Sequence, residues 1–381
     1  MSSLNNNAQI RKKLNDKAAI QKIPLNGIFE LTPLCNMDCE MCFIRMSKEE
    51  MEKTARFRTA EEWIDLGRQC VDAGMLFLLI TGGEPFLRED FREIYTALSQ
   101  MGIMIAINTN GTLIDENTVA WLKKNPPMRI NITMYGSSNQ TYAEICGNPL
   151  GYDKVTRAID MLINAGIQVR INVSFTPKNV CDMEGIYAFA KDRNIQVKPT
   201  IYMFPPLRKS VDSKCKNRIE DIRFSSKEAG TVLFQTREQQ MGKENFHIFL
   251  KMQNQGVFDF ADKEECNGKC ENEIGCYAGQ CFFWITWDGR MLPCGMMNEP
   301  VSYPFRDNFL ESWNQICRKT EEMHMPEACV KCKNRKSCAV CMAVVKAEQS
   351  GSGKPEYLCE MTQQYQKLCE EILGKDIYDE K

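Results

Sequence analysis

The chain has 381 residues, 48 Lys and Arg against 50 Asp and Glu, a net charge of −2, 43% hydrophobic residues and 19 cysteines. That length buries a sizeable core and allows one large domain or two to three ordinary ones; the near-zero charge excludes nucleic acid or an anionic membrane as the main electrostatic partner. Residues 1–22 lack the apolar core of a secretion signal, and the longest apolar run, residues 75–80, is far too short to span a bilayer, so the expectation is a soluble, cytoplasmic protein.

From residue 26 to about 203 the sequence alternates β-rich runs with amphipathic helical runs, the pattern of parallel βα units. Strands are expected at 27–32, 75–81, 103–108, 129–134, 168–175 and 195–202. Helices are expected at 59–73, where Thr59 and Glu62 form a capping box ahead of Trp63, Leu66 and Cys70, and at 90–101, 115–124, 152–165 and 180–192. Six units give an α/β fold, a partial (β/α)6 barrel in which right-handed crossovers bring the loop after each strand to one rim. Pro205-Pro206 breaks the pattern. Residues 207–265 are charged and rich in Met and Gln, a helical linker or cap, and from Cys266 onward cysteines dominate around a hairpin, 281–287 and 290–293, that turns at Asp288-Gly289. The expected organisation is an extension at 1–25, the barrel at 26–206, the linker at 207–265, and a small metal-nucleated domain with a β-hairpin and helices at 266–381.

An odd number of cysteines without a secretion signal argues against a disulfide framework and for metal-ligating thiols. Only His247 and His324 are available to zinc-histidine sites or a histidine base, which leaves the chemistry to sulfur. Cys35, Cys39 and Cys42 form a C-x3-C-x2-C run directly after the first strand. Three thiolates on one tight loop can hold three irons of a [4Fe-4S] cubane and leave the fourth iron open for a substrate or cofactor. The zinc alternative normally needs a fourth ligand close by and C-x2-C pairs, and no His or Asp in the next ten residues fits well. After the second strand comes Gly82-Gly83-Glu84-Pro85, whose glycines let the backbone approach a ligand and whose Glu84 and carbonyls can accept hydrogen bonds from an ammonium group.

On these residues the segment from about 26 to 203 resembles the radical S-adenosylmethionine (SAM) superfamily. The resemblance implies that Cys35, Cys39 and Cys42 hold the catalytic cluster and that its open iron is chelated by the amino and carboxylate groups of SAM. It assigns Gly82, Gly83, Glu84 and Pro85 to the methionine end, Met41 and Phe43 to the adenine pocket, Asn108, Thr109 and Asn110 with Gly111 to the ribose, and Thr133 to the neighbourhood of the carboxylate. For Met41 and Phe43 core packing stands as the alternative. The chemistry so implied is reductive cleavage of SAM to a 5'-deoxyadenosyl radical, which abstracts hydrogen from a C–H bond that no general base reaches.

Farther along, Cys276 and Cys294 are followed by Cys329-x2-Cys332-x5-Cys338-x2-Cys341 and then Cys359; with Cys270 they make eight thiols, enough for two fully ligated cubanes, against the alternative of two four-thiolate zinc sites. This region resembles the SPASM domain of the same superfamily, which implies Cys270, Cys276, Cys294 and Cys341 for one auxiliary cluster and Cys329, Cys332, Cys338 and Cys359 for the other, three [4Fe-4S] clusters in all. The sequence departs from that family in having only Ala339-Val340 between Cys338 and Cys341, and Cys266 and Cys281 lie close enough to compete as ligands. Cys70, Cys146, Cys181, Cys215, Cys266, Cys281, Cys317 and Cys369 stand outside the sets and read as packed thiols.

Proteins similar across both regions mostly act on peptides, which implies maturation of a ribosomally made peptide by a thioether or carbon-carbon crosslink. Formylglycine-forming sulfatase maturases carry an Asp after the hairpin cysteine; here Gly295 follows Cys294. A non-catalytic iron-sulfur electron carrier is the alternative of another class, but a carrier has no use for an open iron beside a GGEP loop. Implied partners are a peptide substrate and an external donor such as flavodoxin or ferredoxin. Because only 34 residues precede Cys35, leader recognition is expected from a separate protein, from residues 207–265, or not at all.

Overall fold

The structure is a computed structural model and describes residues 2–204, 219–254, 276–335, 337–348 and 353–379. Six strands, β1 (Asn26–Glu30), β2 (Phe77–Thr81), β3 (Met104–Thr109), β4 (Arg129–Thr133), β5 (Val169–Ser174) and β6 (Gln196–Thr200), pair in parallel in chain order. Each parallel crossover contains a helix: α3 (Ala60–Asp72) after β1, α4 (Phe91–Ser99) after β2, α5 (Glu116–Lys124) after β3, α7 (Gly151–Asn164) after β4 and α8 (Met183–Asp192) after β5. The expected capping box at Thr59 and Glu62 opens α3. Three helices have no counterpart in the expected pattern: α1 (Ser2–Ile20), α2 (Lys48–Thr54) and α6 (Asn139–Cys146). The polar α1 has little apolar periodicity, and α2 and α6 are a turn or two long, so none shows the sustained stripe that marks a buried helix.

The core lies between sheet and helices. Phe29, Leu78, Ile80, Ile105, Ile107, Ile130, Ile132, Ile171, Val173 and Val197 alternate along β1 to β6 and pack against Trp63, Leu66, Leu98, Leu122, Ile159, Leu162 and Ile186 of the helices. Strand side chains alternate between faces, so the intervening residues line the inner face of the partial barrel.

The C-terminal hairpin does not stand apart from the barrel. Its strands β7 (Phe282–Ile285) and β8 (Met291–Leu292) continue the sheet, giving the order β6-β5-β4-β3-β2-β1-β7-β8, because β7 pairs in parallel with β1 and places Trp284 beside Ile28. Gly27 permits that junction: a Cβ there would lie 2.6 Å from the Phe283 ring. The turn needs Gly289, at φ 91°. Helix α1 lies against the same edge, where Tyr277 donates to Asp16 at 2.6 Å, and Trp313 donates to the Lys22 carbonyl at 2.6 Å from α13 (Phe309–Glu321).

Within the expected linker the described residues are helical, Ile219–Ile222, Ser226–Met241 and Lys243–Asn254. The second of these packs on the C-terminal helix Glu356–Asp379, where Gly230 lets the Met361 carbonyl approach to 2.5 Å of an added Cβ. Among the described residues no helix is long and apolar enough to cross a membrane.

Candidate functional site

The two glycines of the GGEP loop act on the cysteine loop. The Gly83 amide donates to the Thr32 carbonyl at 2.7 Å and the Glu84 amide to the Leu34 carbonyl at 2.8 Å, so the segment leading into Cys35 is held by backbone hydrogen bonds to the end of β2. A Cβ on Gly83 would lie 2.3 Å from the Leu34 oxygen, and one on Gly82 would lie 2.6 Å from the Thr32 oxygen. Close backbone approach is the expected use of these glycines, but the approaching backbone is that of the cysteine loop. Arg88 braces the same place from behind: it is buried, donates to the Leu31 carbonyl at 2.9 Å and forms a two-point pair with Asp90.

Glu84 is completely buried. Its carboxylate accepts from the Phe86 amide at 3.1 Å, the Asn110 amide at 2.7 Å and the Thr109 hydroxyl at 2.8 and 2.9 Å. These donors occupy it, so the side chain faces inward and ties the GGEP turn to the end of β3 rather than offering itself to an ammonium group. Burial pushes its pKa up to about 7 against the pull of those hydrogen bonds. Asn110 continues the connection, donating to Asn36 at 2.8 Å and toward the Cys35 sulfur at 3.7 Å, and Asn36 donates to Thr112 at 2.9 Å. Asn108 accepts from Asn131 at 2.7 Å on the inner face, and Thr133 ends β4 half-buried on that face.

Three thiols are thereby gathered on one rim loop. The Met37 amide donates to the Cys35 sulfur and the Arg45 amide to the Cys42 sulfur, at 3.4 and 3.3 Å. Burial raises Cys35 to about 12, with Glu84, Cys39 and Cys42 adding repulsion. Without metal the Cys35 and Cys39 thiols stay protonated, and a bound cation must displace the protons. Cys39 rises well above the ordinary thiol range through a hydrogen bond with Cys146 and burial, while Tyr135 opposes the rise by donating to it. Cys146 ends α6, whose last turn supplies the Cys146 and Ile145 carbonyls to the Asp38 and Glu40 amides at 2.9 and 3.2 Å. Sequence spacing gave no sign of this support, because Cys146 lies over a hundred residues from the loop it touches.

Phe43 packs with Ile28, Ile44, Leu79 and Trp284, and Met41 borders the main core beside Thr176 and Lys178. Trp284 joins this rim to the C-terminal region: its indole donates to the buried Glu30 at 2.9 Å, and its ring lies 2.5 Å from where a Cβ on Gly295 would be.

In the C-terminal region Cys329, Cys332, Cys338 and Cys359 line one cavity of about 350 Å³ with Arg335 and Lys354. Burial raises Cys329 and Cys359, and repulsion from the neighbouring thiols of the set adds to the rise. Cys276 is raised by burial and by Cys341. Cys270 lies outside the described residues, as do Cys215 and Cys266. Cys281 does not compete for a ligand position: it is fully buried against Ala18, Ala19 and Leu25, directed toward the Asn15 carbonyl at 3.6 Å. Cys70, Cys317 and Cys369 are also buried, and Cys181 is exposed. Among the described residues no three ligating side chains converge on a single-ion site. Cubane ligands do not meet at a point, since each thiolate holds a different iron.

Residues 29–190 match the model of the Radical SAM superfamily. The chain is 22% identical over 341 residues to an AdoMet-dependent heme synthase of Methanosarcina barkeri, covering 85% of this chain and 93% of that one. It is 24% identical over 328 residues to the PqqA peptide cyclase of Rhizobium meliloti, covering 82% and 80%. The solved structure of native anSMEcpe with bound AdoMet and Cp18Cys peptide superimposes with a TM-score of 0.65 at 18% identity, covering 94% of this chain and 100% of that chain. The cysteine loop on the barrel rim, the GGEP turn that braces it and the match over residues 29–190 identify that segment as a radical SAM domain, the domain of an enzyme.

Proposed function

We propose that this radical SAM enzyme modifies a residue of a peptide, maturing a ribosomally synthesised peptide through a thioether or carbon-carbon crosslink. The observation that carries the reading is the joining of two thiol regions in one sheet: the braced loop of Cys35, Cys39 and Cys42 meets the cysteine-rich C-terminal region through Trp284. Similarity to a peptide cyclase over most of the chain supports the peptide class. In this reading Cys35, Cys39 and Cys42 hold a [4Fe-4S] cluster that binds SAM, with Met41, Phe43, Gly82, Gly83, Pro85, Asn108, Thr109, Asn110 and Thr133 around the SAM and Glu84 as an internal brace. Cys329, Cys332, Cys338 and Cys359 hold one auxiliary cluster, and Cys270, Cys276, Cys294 and Cys341 the other, in a SPASM-type region spanning 266–381 after a helical cap at 207–265. Bound SAM, cleaved reductively, supplies the 5'-deoxyadenosyl radical that takes a hydrogen atom from the substrate. The chain's own residues hold the thiolates, pack the rim and keep water from it. Flavodoxin or ferredoxin supplies the electron, leader recognition falls to a separate protein or to the cap, and the reaction is cytoplasmic.

The formylglycine reading is weaker here, because an Asp at Gly295 would drive its Cβ into Trp284. A tetrapyrrole substrate is the second reading, favoured by the heme synthase similarity over 85% of the chain. Reconstituted, reduced protein is expected to release 5'-deoxyadenosine, and co-expression with its peptide is expected to change that peptide's mass. Absence of 5'-deoxyadenosine with all clusters present overturns the radical reading; an unchanged peptide mass overturns the peptide class.

A further inference from the structure

The helix-facing residues of the last three barrel strands are Ile130 and Ile132, Ile171 and Val173, and Val197. Alternation therefore turns Arg129 and Asn131, Arg170 and Asn172, and Lys198 to the inner face. Register sets Asn131 beside Arg170 and Asn172 beside Lys198, so the three cations run diagonally across neighbouring strands. Arg11 of α1, its guanidinium 4.5 Å from the centre of the Phe77 ring, adds a fourth charge from below. Burial and mutual repulsion hold Arg170 down at about 10 and lower Arg129; Lys198, exposed on the edge strand, is lowered by partial desolvation and by Arg170 and Arg129, and every charge acting on the three is another arginine.

Among the described residues none of the four has an acidic partner. Two buried atoms in the group also lack hydrogen bonds: Arg170 Nε, a donor, and Asn172 Oδ1, an acceptor. They belong to residues two apart on one face, roughly 7 Å along the strand. Such a cluster costs stability unless something fills it. The required ligand brings an oxyanion to the arginine forks and, close by, an N–H donor for Asn172. A peptide with an acidic residue carries both.

We infer that the inner floor of the partial barrel binds the carboxylate of an acidic residue of the substrate peptide, held by Arg129, Arg170 and Lys198, while a neighbouring peptide N–H donates to Asn172. This rests on the peptide reading above and narrows it. Arg129 and Arg170 lie four residues below the strand ends at Thr133 and Ser174, a rise of roughly 13 Å. The acidic residue therefore sits about four residues of extended chain from the residue that reaches the rim.

The test compares binding, by calorimetry at low salt, of a blocked Gly-Glu-Glu-Gly peptide, its Gln counterpart and tricarballylate to reconstituted wild type and to the Arg170→Gln/Lys198→Gln variant. Wild type should prefer the Glu peptide at least tenfold, the variant should lose that preference, and added salt should weaken it. Equal affinity for the two peptides, or an unchanged preference in the variant, overturns the inference; binding of tricarballylate alone overturns its peptide part. Folding is checked by thermal melting, where the variant should melt above wild type because repulsion is relieved; a lower melting temperature with the preference retained marks the cluster as structural and overturns the proposal. Release of 5'-deoxyadenosine by wild type, measured alongside, reports on the radical reading separately from the binding result.

Discussion

Substituting Gly83→Ala tests whether the GGEP turn works through the cysteine loop. The added Cβ would lie 2.3 Å from the Leu34 oxygen, 2.6 Å from the Leu34 carbon and 2.8 Å from the Pro33 oxygen. Relief to ordinary van der Waals separation requires the two backbones to part by roughly 1 Å, and neither is a flexible side chain that can swing away. Parting by that amount lengthens the Gly83-to-Thr32 and Glu84-to-Leu34 hydrogen bonds, 2.7 and 2.8 Å, past the useful range. Two weakened buried bonds cost about 2–4 kcal/mol. The larger effect is on chemistry, since a displacement of about 1 Å at a reacting centre costs about 100-fold in rate. The assays are denaturant unfolding, iron content and 5'-deoxyadenosine release. A variant with wild-type stability and release within threefold of wild type would refute the view that these glycines exist to seat the cysteine loop.

Four further outcomes are expected. Glu84→Ala should destabilise by about 3–6 kcal/mol, because it orphans three buried donors, whereas Glu84→Gln leaves one N–H facing an amide and costs about 1–3 kcal/mol; urea unfolding distinguishes them. On the proposed content of three cubanes, Cys338→Ser should lower iron content by about a third, and Cys281→Ser should leave it unchanged, both read by iron assay after reconstitution. Glu348→Ala should cost about 3–5 kcal/mol, because Arg223 pairs with Glu348 at 2.6 Å while both side chains are at most 15% exposed; unfolding of the variant measures it. Gly374→Ala, where nothing lies within 4 Å of the new Cβ in the C-terminal helix, should stabilise by about 0.5–1 kcal/mol, seen as a raised denaturation midpoint.

What was legible in the sequence was whatever repeats at short range. The six parallel strands and their crossover helices follow from alternation and periodicity, and their observed bounds fall within a few residues of expectation. The rim loop likewise announces itself, because a C-x3-C-x2-C run and a GGEP turn are local. Long-range partners were not legible. Nothing in Phe282-Phe283-Trp284-Ile285 says that it will pair with Asn26–Glu30 rather than close a separate small domain; that choice depends on β1 having an unpaired edge and on Gly27 leaving room for Phe283. Cys146 met Cys39 for a similar reason, through a short helix lacking a strong apolar stripe.

The inner face is the intermediate case, half written in the strand pattern and half in the topology. Arg129, Arg170 and Lys198 each occupy the position next to a buried aliphatic residue in its strand, so the alternation that located the strands also put all three on one side. An exposed cation on a strand ordinarily faces solvent and carries no message. In a parallel barrel the side opposite the helices is the lumen, where Arg129 and Arg170 are half-buried and Lys198, on the edge strand, stays exposed. Once topology is included, three charges that composition had balanced to near zero across the chain become a local excess with no acidic partner among the described residues. Net charge was the wrong scale for asking about anionic ligands: the value of −2 excludes a basic surface but says nothing about which residues share a cavity.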